Sequence, residues 1–170
     1  MLPKRIPLWK LFVILSVVFV ITICAITLIN NAHAEQEEVW VLCNPDSFVN
    51  VRTKPSTRSM ILGSAYCGDR IVIDGKTKNG YIHCIDLSLE MSEGWIHSGY
   101  IVYDKPDCSK ILQCSIQSDG RVAARKTIDG KRNKWVKKNS TVTVYAVSAE
   151  WCVTNKGFIK TEYINLGEEK

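Results

Sequence analysis

The first 34 residues of this 170-residue chain contain no acidic side chain: all 17 acidic residues follow Ala34. The chain also lacks the G-x-S-x-G, H-E-x-x-H and phosphate-loop patterns, so the short signatures of serine hydrolases, zinc proteases and nucleotide-binding loops are missing. No C-x-x-C occurs, and His83 and His97 have no convergent spacing, so neither a metal site nor a cofactor is expected. No amphipathic helical period follows the N-terminal segment, which leaves β-structure as the reading. After Ala34 stand 19 of the 22 basic residues against the 17 acidic ones, a balance of +2. The whole-chain charge of +5 is therefore partly an effect of the N-terminus and does not by itself argue for nucleic acid.

Lys4, Arg5 and Lys10 form a basic flank, and Leu11 to Ile29 is an uncharged run of 19 residues. Small residues at Ala32 and Ala34 suit signal-peptidase cleavage. The apolar run also approaches the ~20 residues of a spanning helix. Two readings of residues 1–34 stand, a cleaved signal peptide and a retained membrane anchor, and both place residues 35–170 outside the membrane.

The rest of the chain is internally repeated. Gly94-Trp95-Ile96-His97-Ser98-Gly99-Tyr100-Ile101 recurs 63 positions later as Gly157-Phe158-Ile159-Lys160-Thr161-Glu162-Tyr163-Ile164. Val49-Asn50-Val51-Arg52 matches Val122-Ala123-Ala124-Arg125, and Ile71-Val72-Ile73 matches Val142-Thr143-Val144. Internal repetition at this period means two copies of one small unit. Five or six short strands per copy, punctuated by turn signals, argue a small barrel. The strands expected in the first copy include Glu38–Cys43, Phe48–Arg52, Arg70–Asp74, Tyr81–Asp86 and Gly94–His97, with Lys76–Lys78 a loop between Asp74-Gly75 and Asn79-Gly80. The organisation predicted is residues 1–34 signal or anchor, 38–102 first module, 103–109 linker and 110–166 second module.

Modules of this size bury only ~60% of their unfolded surface and are marginal without staples. Six cysteines follow the leader, and an even count in an exported small-domain protein reads as disulfides. Cys43 and Cys114 share the offset of 71. Cys84 and Cys152 fall in the strand after the central hairpin, two residues out of step. The expectation is Cys43–Cys84 and Cys114–Cys152 within modules, leaving Cys67 and Cys108 to join one module to the linker. Cys108–Cys114 is a sterically allowed competitor. Cys24 reads as an apolar residue of the leader.

The ordered set Val49-Asn50-Val51-Arg52, Thr53-Lys54-Pro55-Ser56, Gly68-Asp69, Gly80-Tyr81, Gly94-Trp95-Ile96 and Tyr100-Ile101 resembles the bacterial SH3-type domain. The second module resembles a degenerate copy, with Asn139-Ser140 where the first has Gly68-Asp69. The resemblance implies an all-β fold of two tandem small SH3-like barrels after an N-terminal signal or anchor helix. It also implies a non-catalytic binding protein that recognises cell-envelope material, peptidoglycan peptide or anionic wall polymer. The alternative is a membrane-anchored protein–protein interaction component of an envelope assembly.

The ligand residues expected in the first module are Asn50, Pro55, Asp69, Tyr81, Trp95 and Tyr100. The aromatic members offer flat apolar contact with polar edges. In the second module Arg121, Arg125, Lys126, Lys131, Arg132, Lys134, Lys137 and Lys138 fall within 18 residues with Trp135 among them, opposed only by Asp129. Such a cluster is a candidate for an anionic polymer or a lipid headgroup surface. Export argues against nucleic acid as the partner, and His83 cannot activate Cys84, because neighbours on a strand point to opposite faces.

Overall fold

The β-branched and aromatic segments become strands, and their period-2 alternation sets what each buries. Val49–Arg52 and its repeat Val122–Arg125 show the same alternation of buried and half-buried residues. A computed structural model describes residue 19 and residues 36–87, 93–109 and 111–167. Apart from residue 19, the expected leader lies outside the described residues, among which no helix is long and apolar enough to cross a membrane.

Two antiparallel sheets carry the chain from Gln36 onward, within one compact unit. The first contains β1 (Glu37–Val41), β2 (Val49–Arg52), β3 (Ile61–Ala65), β4 (Arg70–Lys78), β5 (Tyr81–Leu87), β6 (Gly94–His97) and β7 (Ile101–Val102). The second contains β8 (Leu112–Ile116), β9 (Val122–Arg125), β10 (Arg132–Val136), β11 (Thr141–Val147), β12 (Trp151–Thr154), β13 (Gly157–Lys160) and β14 (Ile164–Asn165). Their orders, β3-β2-β6-β5-β4-β1-β7 and β10-β9-β13-β12-β11-β8-β14, are one pattern used twice. A single 3-10 turn precedes the last strand of each, Ser98–Tyr100 and Thr161–Tyr163. Seven strands per copy, rather than five or six, come from the edge strands β3 and β10 and the two-residue closing strands β7 and β14.

Each sheet wraps its own core. Val39, Val51, Ile71, Ile96 and Cys84 are fully buried in the first, and Ile116, Val144, Ile159 and Cys152 in the second. A third cluster joins the two barrels: Leu42 and Val102 of the first pack with Ala146, Trp151, Val153 and Phe158 of the second, and Tyr100 meets Phe158 ring to ring at 5.9 Å. Polar ties flank it. Ile128 N donates to Gly99 O (2.9 Å), Ser98 Oγ donates to Asp129 Oδ2 (2.7 Å), and Ala149 N donates to Asp104 Oδ2 (2.6 Å). Asp107, in the connecting segment, exchanges two backbone hydrogen bonds with Val147.

Two expectations are corrected, the Lys76–Lys78 loop and the within-module disulfides. Lys76–Lys78 is strand, not loop. The reversal takes only Asn79 (φ 54) and Gly80 (φ 75), while Gly75 (φ 73) sits in a bulge between Ile73, opposite Cys84, and Thr77, opposite Ile82. Arg132–Val136, within the basic stretch, is an edge strand paired with β9. Among the described residues only Cys67–Cys108 is a disulfide, and it does hold the linker to the first barrel.

Cys43, Cys84, Cys114 and Cys152 are buried free thiols, so the pairs Cys43–Cys84 and Cys114–Cys152 do not form. The ladder register is the reason. In each barrel a whole strand, β4 or β11, separates the two cysteines. Cys84 lies opposite Ile73 on β4, whereas Trp40 is already opposite Arg70, so Cys43 falls beyond that end of the strand. Cys114 faces Val142 and Cys152 faces Val147, at opposite ends of β11. Bridgeable cysteines need Cα atoms within about 7 Å. The shared offset of Cys43 and Cys114 is also not structural equivalence: Cys114 occupies the place of Val39, since both face the matched residues Val142 and Ile71.

Candidate binding sites

Matching the two registers residue by residue shows what each copy does with the same positions. Arg52 and Arg125 are equivalent, and each clamps the loop after its strand. Arg52 Nη1 donates to Ser59 O (2.8 Å), and Arg125 Nη1 donates to Gly130 O (2.7 Å). Arg125 also lies over the Trp151 ring at 5.9 Å. Gly68 (φ 86) and Asn139 (φ 58) make the same left-handed turn, with Gly68 N bonded to Val41 O and Asn139 N to Ile116 O. Glycine and asparagine are the residues that tolerate that conformation.

The outer face of β5 and β6 gathers the first module's aromatics. Tyr81 lies opposite His97 with rings 5.3 Å apart, and Trp95 lies opposite His83 at 4.9 Å. His83 Nδ1 meets Asp74 Oδ2 at 3.0 Å, and the Lys76 ammonium pairs with the same oxygen. Burial raises the Asp74 carboxyl, but the hydrogen bonds from Lys76 and His83 outweigh it and hold the pKa down at about 2. The six residues expected to share a ligand site are dispersed. Tyr81 is buried, Trp95 is half-buried on this face, and Tyr100 is drawn into the contact between barrels. Asp69 closes a turn by accepting from Tyr66 N (2.8 Å), the Pro55 carbonyl accepts from Asn79, and Asn50 stands opposite Ser64 on the β2–β3 ladder.

The second barrel carries a groove of about 480 Å3, walled by Trp135, Trp151 and Tyr163 with the cations Arg121, Arg125 and Lys160. Arg132 stacks over Trp135 at 4.4 Å because a bulge in β10 shifts the register between Arg132 and Lys134. Lys160 has Glu162 at 3.8 Å, and a hydrogen bond to Glu162 together with its charge pushes the Tyr163 pKa up. The structure thus divides the basic stretch. Arg121 and Arg125 line this groove, Lys126 and Lys134 line a cleft between the barrels, and Lys131 is exposed on the loop before β10. Lys156, Lys160 and Trp151 join these surfaces although they are distant in sequence. The Gly-aromatic repeat was the signal that could have placed them.

Residues 47–102 match the family model of the bacterial SH3 domain. The first barrel is a bacterial SH3 domain. The second barrel repeats the strand order of the first, with Asn139 in the turn that Gly68 takes there and a cation-lined groove of its own. Among solved structures the chain is similar to NlpC1 of Trichomonas vaginalis at 14% identity, covering 78% of this chain and 46% of that one, with a TM-score of 0.32. It is similar to NlpC2 of the same organism at 13% identity, covering 79% and 49%, with a TM-score of 0.33. The chain therefore spans about half the length of each of those proteins. No curated protein matches it.

Proposed function

We propose that this chain is an exported, non-catalytic binding protein of the cell envelope that recognises peptidoglycan peptide or anionic wall polymer through its SH3-like barrels. The observation that carries the reading is an SH3 domain packed through a shared apolar cluster onto a second barrel that bears cation- and aromatic-lined grooves. Charged and flat side chains converging in open clefts suit recognition of a polymer. The non-catalytic reading is supported by the thiols. Cys84 is buried with its pKa pushed up to about 12, and His83 points to the other face of the strand. The disulfide Cys67–Cys108 supports an extracytoplasmic location.

The test is retention of the chain on purified cell wall, with and without its anionic polymer, at low and high salt. Retention is expected and should weaken with salt when the polymer is present. Trp95→Ala should reduce retention on polymer-free wall while leaving the barrel folded, because Trp95 packs on the outer face rather than in the core. Passage through both walls would overturn the reading.

One observation favours the alternative, an interaction component of an envelope assembly. The outer face of β5 and β6 is the counterpart of the β12 and β13 face, which in the second barrel is covered by protein. Crosslinking through that face to an envelope protein, with no wall retention, is the outcome this alternative predicts.

A further inference from the structure

We infer that the cleft between the two barrels, continued along β10, is a binding track for a phosphodiester chain of the polyol phosphate type. This rests on the reading of the protein as a wall-polymer binder and names both the place and the chemistry. The cleft, about 490 Å3, sets Lys126, Lys134 and Lys156 of the second barrel opposite Asn44, Ser47 and Phe48 of the first. A second cleft of about 320 Å3 shares Lys134 and Lys156 and adds Lys137 and Trp135, so the two run into one another.

Neither cleft is lined by an aspartate or glutamate, and among the described residues none of these four lysines has an ion-pair partner. Three cations outside the clefts are compensated, Lys76 by Asp74, Lys160 by Glu162 and Arg70 by Glu38. Unpaired ammonium groups brought together by folding repel one another, and an anion laid among them relieves that repulsion.

The type of cation and its distribution indicate the ligand. Arg125, the only guanidinium lining either cleft, is already bonded to Gly130 O. The other cations lining the two clefts are lysine ammoniums, compact point charges that suit the singly charged phosphates of a diester chain. Charges spread along two joined clefts answer a repeating anion better than a single phosphate. Phe48 and Trp135, 53% and 50% exposed, add apolar contact for the carbon backbone of such a chain. Phe48 is braced edge-on by Tyr66 at 6.2 Å. The main cleft is built from both barrels and exists only while they are docked.

The test uses the full chain and poly(glycerol phosphate) of defined length, titrated calorimetrically over a series of salt concentrations. Binding should weaken linearly in log salt. Lys134→Gln with Lys156→Gln should lose about tenfold in affinity and flatten the salt slope by roughly one to two. Lys126→Gln should lose less, and Arg121→Gln, in the other groove, should change little. These lysines lie outside the cores, and unchanged near-ultraviolet dichroism would confirm that the variants fold. Equal binding by wild type and the double variant would overturn the inference. So would a polyglutamate peptide or a single-stranded oligonucleotide of equal charge binding as tightly. Retention of wild type and double variant alike on purified wall would overturn the track while leaving wall binding intact. Loss of wall retention with lysine-dependent binding of the free polymer would do the reverse.

Discussion

The four unpaired cysteines show how burial sets chemistry at single residues. Burial, aided by the nearby Asp69 charge, pushes the Cys43 pKa up to about 11, and burial pushes up Cys114 and Cys152 as well as Cys84. Thiols that are both covered and protonated should not react with a thiol reagent at pH 8 in the native protein. After denaturation without reductant, Cys43, Cys84, Cys114 and Cys152 should all react; if none of the four did, the within-module pairs would exist. Asp74 makes a second prediction. Its carboxyl titrates near 2, below the usual ~3.9, so its contribution to stability is present above that usual value and is lost as pH falls through about 2. Asp74→Asn should cost about 1–2 kcal/mol at neutral pH. Urea midpoints of variant and wild type should then converge as pH falls from about 4 to about 2. Cysteine pairing was not legible in the sequence because an offset counts residues, whereas register depends on bulges and turns that residue counting does not see. The Asp74–His83 contact was hidden for the same reason, since it depends on the bulge at Gly75.

At the scale of elements, the repeated Gly-aromatic-aliphatic segment has a physical cause. A Cβ on Gly94 would lie 2.5 Å from Val51 Cγ1, and one on Gly157 would lie 2.3 Å from the Arg125 carbonyl oxygen. These glycines admit β6 against β2 and β13 against β9, the pairings that turn each barrel back on itself. Gly157 also holds φ at +116, which strains any side chain. Gly157→Ala should therefore cost about 2–4 kcal/mol, read from urea unfolding. A loss within a few tenths would mean that β9 gives way easily. The repeat, the central strands and β6 were readable because their apolar alternation is strong. β10 was not, because Arg132-Asn133-Lys134-Trp135 is exposed throughout, and an edge strand with no buried alternation resembles a solvated loop.

At the scale of the whole molecule, the two copies have divided the work of docking. Leu42 and Val102, the first barrel's contribution to the shared cluster, correspond by register to Gln117 and Asn165 in the second. Trp151, Val153 and Phe158, the receiving face, correspond to Tyr81, His83 and Trp95 in the first. The apolar patch of Leu42 and Val102 thus exists in the first copy only, whereas the receiving face keeps aromatic character in both. Leu42→Ala should remove about 2–4 kcal/mol from the shared cluster. Calorimetry should then resolve two unfolding transitions where wild type has one; a single shifted transition would show the barrels coupled by the flanking polar ties instead. The tandem was visible in the sequence, and the short linker implied that the modules touch; the faces that dock were not visible, because they rest on differences between the copies rather than on their likeness.

The position of the crosslink has a consequence for biogenesis. Cys67 and Cys108 both precede every strand of the second barrel. As the chain emerges N-terminus first, the first barrel and its bond can be complete before β8 exists. The newly made barrel then presents Leu42 and Val102 as a bare apolar patch, a surface on which the later barrel can mature and which a holdase would guard in the interval. A stalled or truncated product would retain that sticky patch, so quality control would have a feature by which to tell an unfinished chain from a finished one.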